Sequence, residues 1–149
     1  MSTNAELYEQ DFYAWTQTTA AALRAGKWHD VDPEALAEEV ESLGRSEHRE
    51  LEHCLDGLLM HLLKWRYQPS RRQTGHSWRS TIREHRHQLA RLLRDSPSLL
   101  PRVAVVLPAS YAYARQSASD ETGLPLQTFP PACPWQAQEV LDVDFWPEA

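Results

Sequence analysis

The chain has 149 residues, 42% of them hydrophobic and 24% charged, with a formal net charge of −6. A chain of this length buries roughly 70% of the surface its unfolded form exposes, so a single domain over residues 1–149 is expected. No apolar run approaches the ~20 residues of a membrane span, no basic-then-apolar leader opens the chain, and Cys54 and Cys133 stand at no motif spacing; a soluble protein of a reducing, cytoplasmic compartment is expected.

In chain order, Thr3 and Glu6 stand three apart ahead of an apolar-periodic run, the pattern of a capping box. Tyr8, Phe12, Trp15, Thr19, Ala22 and Leu23 recur at three and four, and Gly26 supplies a left-handed stop, which predicts a first helix over 4–25. Asp32-Pro33 opens the second helix: the aspartate accepts an orphan backbone N–H, and proline at the first helical position gives up only a donor that had no partner. Leu36, Val40, Leu43, Leu51, Cys54, Leu55, Leu58, Leu62 and Trp65 then share one stripe. Five of these, Leu36, Leu43, Leu51, Leu58 and Trp65, fall within an arc of roughly 80°, which predicts one continuous helix over 33–67 on which the rest of the chain packs. Gly44 is the position where that helix could break; continuity of phase favours an unbroken helix in which the glycine lets a neighbouring helix approach.

The polar stretch 68–76 forms a loop, and Ser77 starts a third helix, 77–95, with Trp78, Ile82, His85, Leu89, Leu92 and Leu93 on its face. So short a loop folds the third helix back antiparallel on the end of the second. Ser96-Pro97-Ser98 turns the chain into a fourth helix, 99–122, containing Pro108 and closed by Gly123. Residues 124–149 read as a proline-rich wrapping arm with one short helix at 134–141, anchored by Phe129, Trp135, Leu141, Phe145 and Trp146. The predicted class is all-α, an antiparallel up-and-down bundle of about four helices.

The net charge conceals a strong segregation. Residues 1–56 hold thirteen acids against four Lys/Arg (−9), residues 57–94 nine Lys/Arg against Glu84 alone (+8), and residues 95–149 seven acids against two arginines (−5). A basic helix packed between acidic ones produces this pattern, and so does a basic face for an anionic partner.

Several stretches together resemble a family of bacterial proteins designated domain of unknown function family 29. They are YEQDFYAW at 8–15, LAEEVESLGRSE at 36–47, HLLKW at 61–65, SWRSTI at 77–82, SPSL at 96–99, ETGL at 121–124, FPPACPW at 129–135 and LDVDFWP at 141–147. The resemblance runs in order over nearly the whole chain. It implies a compact α-helical domain of bacterial origin with no established activity, and no catalytic or binding residue is carried over from it.

Two constellations bear on chemistry. Glu47 interrupts the apolar stripe of the second helix, Glu50 and His61 border it, and His85 lies centrally on the stripe of the third. Antiparallel pairing about residue 72 brings His61 and His85 to one level, and two histidines with carboxylates nearby are the material of a bundle metal site. The bland alternative is a pair of core-edge histidines hydrogen-bonded locally, with Glu47 paired to an arginine such as Arg94 or half-exposed at the rim. Glu50-x-x-His53 and Glu84-x-x-His87 match a di-iron spacing, but His53 and His87 point away from the stripes. The second constellation is basic: Lys64, Arg66, Arg71, Arg72, Arg79 and Arg83 interleave with aromatic residues, a mixture suited to phosphate neutralisation and base stacking. Trp65 and Trp78 lie on apolar stripes, however, and are expected in the core.

No nucleophile motif, phosphate loop or dinucleotide fingerprint accompanies these residues, and no catalytic residue or cofactor is expected. The reading favoured is a non-catalytic interaction or regulatory protein that binds a protein partner, or itself, through charged surfaces. The alternative is a metal-dependent hydrolase using His61, His85, Glu47 and Glu50 around a divalent metal. Third comes nucleic-acid binding through residues 64–94.

Overall fold

The computed structural model describes residues 4–73 and 76–148, and among them it contains helices, turns and no strand. The chain is all-α. It forms two compact units that divide between Ser46 and Glu47.

In the first unit the expected helix over 4–25 is two helices, α1 (Asn4–Gln10) and α2 (Phe12–Arg24). Asp11 separates them because its carboxylate competes with the helical backbone for a donor: its Oδ1 accepts the N–H of Ala14 at 3.1 Å and caps α2. Thr3 of the expected capping box lies outside the described residues. Tyr8, Phe12 and Trp15 form an aromatic cluster with ring centroids 4.8–6.0 Å apart, and Trp15, Thr19, Ala22 and Ala35 are buried. Gly26, at φ 72°, ends the segment in the left-handed region. Asp32 Oδ1 then accepts from the backbone N–H of Glu34 (3.1 Å) and of Ala35 (3.3 Å), with Pro33 following it, and α3 begins.

Helix α3 runs unbroken from Pro33 to Tyr67, 35 residues. It passes through Gly44 without interruption, but nothing lies within 4 Å of where a Gly44 Cβ would sit, so this glycine admits no neighbouring helix. The stripe is also covered unevenly. Leu51, Leu55, Leu58 and Leu62 are fully buried, whereas Val40 is 59% and Leu43 70% exposed. A common phase therefore does not mean common burial.

In the second unit α4 (His76–Asp95) lies antiparallel to the C-terminal part of α3, as the short connection requires. Trp65 pairs across with Arg79, His61 with His85, Cys54 with Gln88 and Glu47 with Ser96, the numbers falling on one helix as they rise on the other. Helix α5 (Leu100–Thr122) keeps Pro108 in its interior and ends at Gly123, φ 74°. Val103, Leu107, Tyr111, Ala114 and Ala118 face the core. The arm carries α6 (Ala137–Leu141), whose start is closed by a reciprocal Gln136–Glu139 capping box. Side chains from the helices hold it by its backbone carbonyls: among others, the Tyr111 hydroxyl donates to Pro130 O (2.6 Å), Arg115 to Phe129 O (2.9 and 3.1 Å), Arg86 to Val140 O (2.9 Å) and Ser119 to Leu124 O (2.7 Å). Phe129 and Val140 are fully buried, and Trp146 packs on Trp65 with centroids 4.7 Å apart.

Candidate functional site

The sequence placed four residues in one candidate metal set, and the fold separates them into two pairs. Glu47 and Glu50 are exposed and line a polar cleft with Gln88, Arg91 and Asp95. Glu47 accepts a hydrogen bond from the Ser96 hydroxyl at 2.7 Å, while Arg94 turns to its neighbour Asp95 (3.7 Å). His61 and His85 face each other elsewhere in the second unit. They line a cavity of about 320 Å³ with His53, Asp56, Gly57, Met60, Tyr113, Ser117 and Glu121. Glu47 and Glu50 do not line it. Helix α3 supplies one wall at the spacing 53, 56, 57, 60, 61; α4 supplies His85; and α5 supplies 113, 117 and 121, one turn apart.

Gly57 positions both imidazoles. Its carbonyl accepts the Nδ1–H of His61 at 2.8 Å, which fixes the tautomer and leaves the His61 Nε2 lone pair uncommitted. A Cβ on Gly57 would stand 2.6 Å from His85 Nε2 and 2.9 Å from Cε1, so the His85 ring occupies the space that the missing side chain leaves. The two ring centroids are 6.2 Å apart, and His85 Nδ1 is buried with no hydrogen-bond partner. At one side of the cavity Glu121 accepts from Lys64 Nζ at 3.0 Å.

Burial sets the electrostatics. It holds both imidazoles below the usual histidine range; the Lys64 cation lowers His61 further, and the neighbouring His61 and His53 lower His85. The Gly57 carbonyl and Glu121 act the other way on His61, and Glu84 does so on His85. Desolvation raises the Asp56 carboxyl, opposed by a hydrogen bond from Ser110. The pH dependence of stability follows. Between the lowered folded values and the unfolded value near 6.5, the unfolded chain binds protons that the folded protein does not, so the histidines cost stability as pH falls through that window. Asp56 has the opposite sign, gaining stability as pH falls through its raised value toward the acidic range. Urea unfolding of the metal-free protein should give a free energy lower at pH 5.5 than at pH 7.5 by on the order of 1 kcal/mol. The difference should shrink in the double variant His61→Gln/His85→Gln; an unchanged difference would assign the pH dependence to other groups.

The basic constellation is largely spent on the protein itself. Lys64 is not part of a charged surface: it is 8% exposed and paired with Glu121. Arg72 donates to Trp65 O (2.7 Å), pairs with Glu148 (3.3 Å) and stacks its guanidinium over the Trp65 ring. Arg79 lies over both Trp65 and Trp146, and Arg66 over Tyr67. Arg71 and Arg83 are exposed. Trp65 is buried and Trp78 half-buried against the core, so neither ring is displayed for base stacking.

Sequence reasoning missed Gly57, Asp56, Glu121 and Arg86. Gly57 left the clearest trace, a glycine in the middle of the longest helix where no turn is wanted. Asp56 and Glu121 read as ordinary charges on long helices. Among the described residues no helix is long and apolar enough to cross a membrane, and no group of three His, Cys, Asp or Glu side chains is assembled that could hold a metal ion. No curated protein and no solved structure matches the chain. What does match is a family model, Domain of unknown function DUF29, over residues 7–146. That span takes in the aromatic cluster of the first unit, the whole of α3 and its histidine cavity, and the arm as far as Trp146; the chain belongs to this family.

Proposed function

We propose that the protein acts by binding a partner protein, and that the first unit carries the docking face. The observation that carries this reading is the uncovered apolar side of that unit. Trp28 is 67% exposed, and Val40 and Leu43 lie one turn apart on α3 with most of their surface in water. A shallow groove of about 540 Å³ runs beside them, lined by Trp28, Val31, Pro33, Leu36, Ala37 and Val40, with Glu41 as its one charged wall. Exposed apolar clusters of this kind mark interaction surfaces.

Charge selects the occupant. Residues 1–46 hold nine acids against Arg24, Lys27 and Arg45, a balance of −6, whereas residues 47–149 hold twelve of each sign. Glu34, Glu38 and Glu41 follow one another along α3 beside the groove. An apolar groove with an acidic border fits a basic amphipathic helix of a partner, its apolar face on Leu36, Val40 and Trp28 and its lysines or arginines over the glutamates. The charged-surface reading of the sequence is thereby narrowed to one unit and one sign.

Fluorescence anisotropy with labelled model helices tests this on the full chain. A Leu/Lys amphipathic peptide is expected to bind, and to weaken as salt rises; a Leu/Glu peptide of the same length is not. Leu43→Gln and Trp28→Ala should each reduce affinity at least about tenfold, the size of a modest interface hot spot. Equal binding of the two peptides, or affinity untouched in both variants, overturns the proposal. So does a light-scattering dimer that Leu43→Gln dissolves, because the face would then belong to a second copy.

A further inference from the structure

We propose that Gly57, His61 and His85 build a two-imidazole site between α3 and α4 that takes one divalent transition-metal ion of the borderline class, such as zinc, nickel, cobalt or copper. One glycine arranges both rings: its carbonyl turns His61 so that Nε2 is free, and its missing Cβ makes the room in which the His85 ring lies. A glycine inside a helix weakens it, and at Gly57 the three atoms nearest the vacant Cβ position all belong to the His85 imidazole. His85 Nδ1, buried and unpaired, is an orphan of the kind that a ligand satisfies.

The spacing suits a shared ion. With metal–nitrogen bonds of about 2.0–2.1 Å, each ring centroid stands about 3.2 Å from the metal, and two rings share one ion at centroid separations from about 5 to 6.4 Å. The observed 6.2 Å falls within that range. Asp56 lines the same cavity and adds a carboxyl group to it, while the charge of Glu121 is matched by Lys64. Imidazole donors select zinc, nickel, cobalt and copper over magnesium and calcium, which require oxygen ligands. With two protein ligands, the remaining positions belong to water, and the ion exchanges. Such a site loads and unloads, and when loaded it staples α3 to α4.

Calorimetric titration of the chelator-treated full chain with zinc and nickel tests the assignment, alongside thermal melts and NMR of the histidine rings with cobalt. One ion should bind with micromolar affinity and raise Tm, and cobalt should broaden the His61 and His85 ring signals first. His61→Gln and His85→Gln should each lose at least tenfold in affinity while keeping the helical circular dichroism of the metal-free protein. The ring-broadening experiment uses the unaltered protein and holds whatever the variants do. No heat at millimolar metal, broadening confined to the half-buried His48 beside Glu52 or to surface histidines, or affinity retained within twofold in both variants each overturns the site.

Discussion

Replacing Arg86 with alanine is expected to lower the unfolding free energy by about 3–5 kcal/mol, the scale set by stranding the partners of a buried charge. Arg86 is 2% exposed and stands on α4 against the arm. Its Nε donates to Val140 O at 2.9 Å and a terminal nitrogen donates to Glu139 O at 3.5 Å, so the guanidinium closes the last carbonyls of α6. Its Cζ also lies over the Trp146 ring, 5.6 Å from the ring centre. Burial pulls its proton affinity below the ordinary arginine value, and only Asp142 opposes that pull. The charge is therefore held by carbonyl dipoles and an aromatic face rather than by a bonded carboxylate. Alanine would leave the Val140 carbonyl without its donor, Glu139 O with the Asp142 N–H alone, and a void the size of the guanidinium stem. Lysine would restore the charge but not the fork that reaches two carbonyls at once, so Arg86→Lys should recover less than half of the loss. Urea unfolding measures the loss; chymotryptic cleavage at Trp135 or Phe145 should accelerate at least tenfold before the rest of the chain opens. An unaltered urea midpoint with an arm still protected would show that the apolar anchors alone hold residues 124–148.

Arg86 also marks where the sequence stopped being legible. The helix class, the 35-residue length of α3 and the antiparallel fold-back of α4 followed from phase, from Asp32-Pro33 and from a short polar loop, all of them local signals. The meeting of His61 and His85 followed from the same register. Other features depend on which neighbour arrives. Ile82, Arg86 and Leu89 are spaced as one face, but an arginine among apolar positions reads as a rim residue until an arm places carbonyls and Trp146 over it. Lys64 likewise sits inward because Glu121, 57 residues on, comes to meet it. Val40 and Leu43 carried a core pattern and stayed exposed, since periodicity says which residues share a face and not whether anything covers it. The positive charge of residues 57–94 was plain in composition. Its use, as donors and cation–π partners around Trp65 and Trp146, required the fold.

The two glycines within α3 should respond with opposite signs to the same substitution. Gly44→Ala should stabilise the protein by about 0.5–1 kcal/mol, since alanine is the better helix former and the new methyl meets nothing within 4 Å. Gly57→Ala gains the same propensity but drives a methyl to 2.6 Å from His85 Nε2. Overpacking of this kind costs about 1–3 kcal/mol, so the net effect should be a loss of up to about 2 kcal/mol. It is the imidazole that must yield, because Gly57 belongs to the helical backbone itself and cannot recede. Removing the ring tests the cause: in a His85→Ala background, Gly57→Ala should become stabilising by about 0.5–1 kcal/mol, as at Gly44. The coupling between the two positions, about 1–3 kcal/mol in a double-mutant cycle by urea unfolding, measures how firmly the backbone of α3 is committed to one histidine of α4. A coupling near zero would mean that the ring swings aside freely, and the metal site proposed above would then lose the feature that orients half of it. A coupling of the expected size would mean that α3 sacrifices helix stability in its centre to seat an imidazole, a sacrifice that packing alone does not require, since an alanine–alanine contact would hold the two helices together as well.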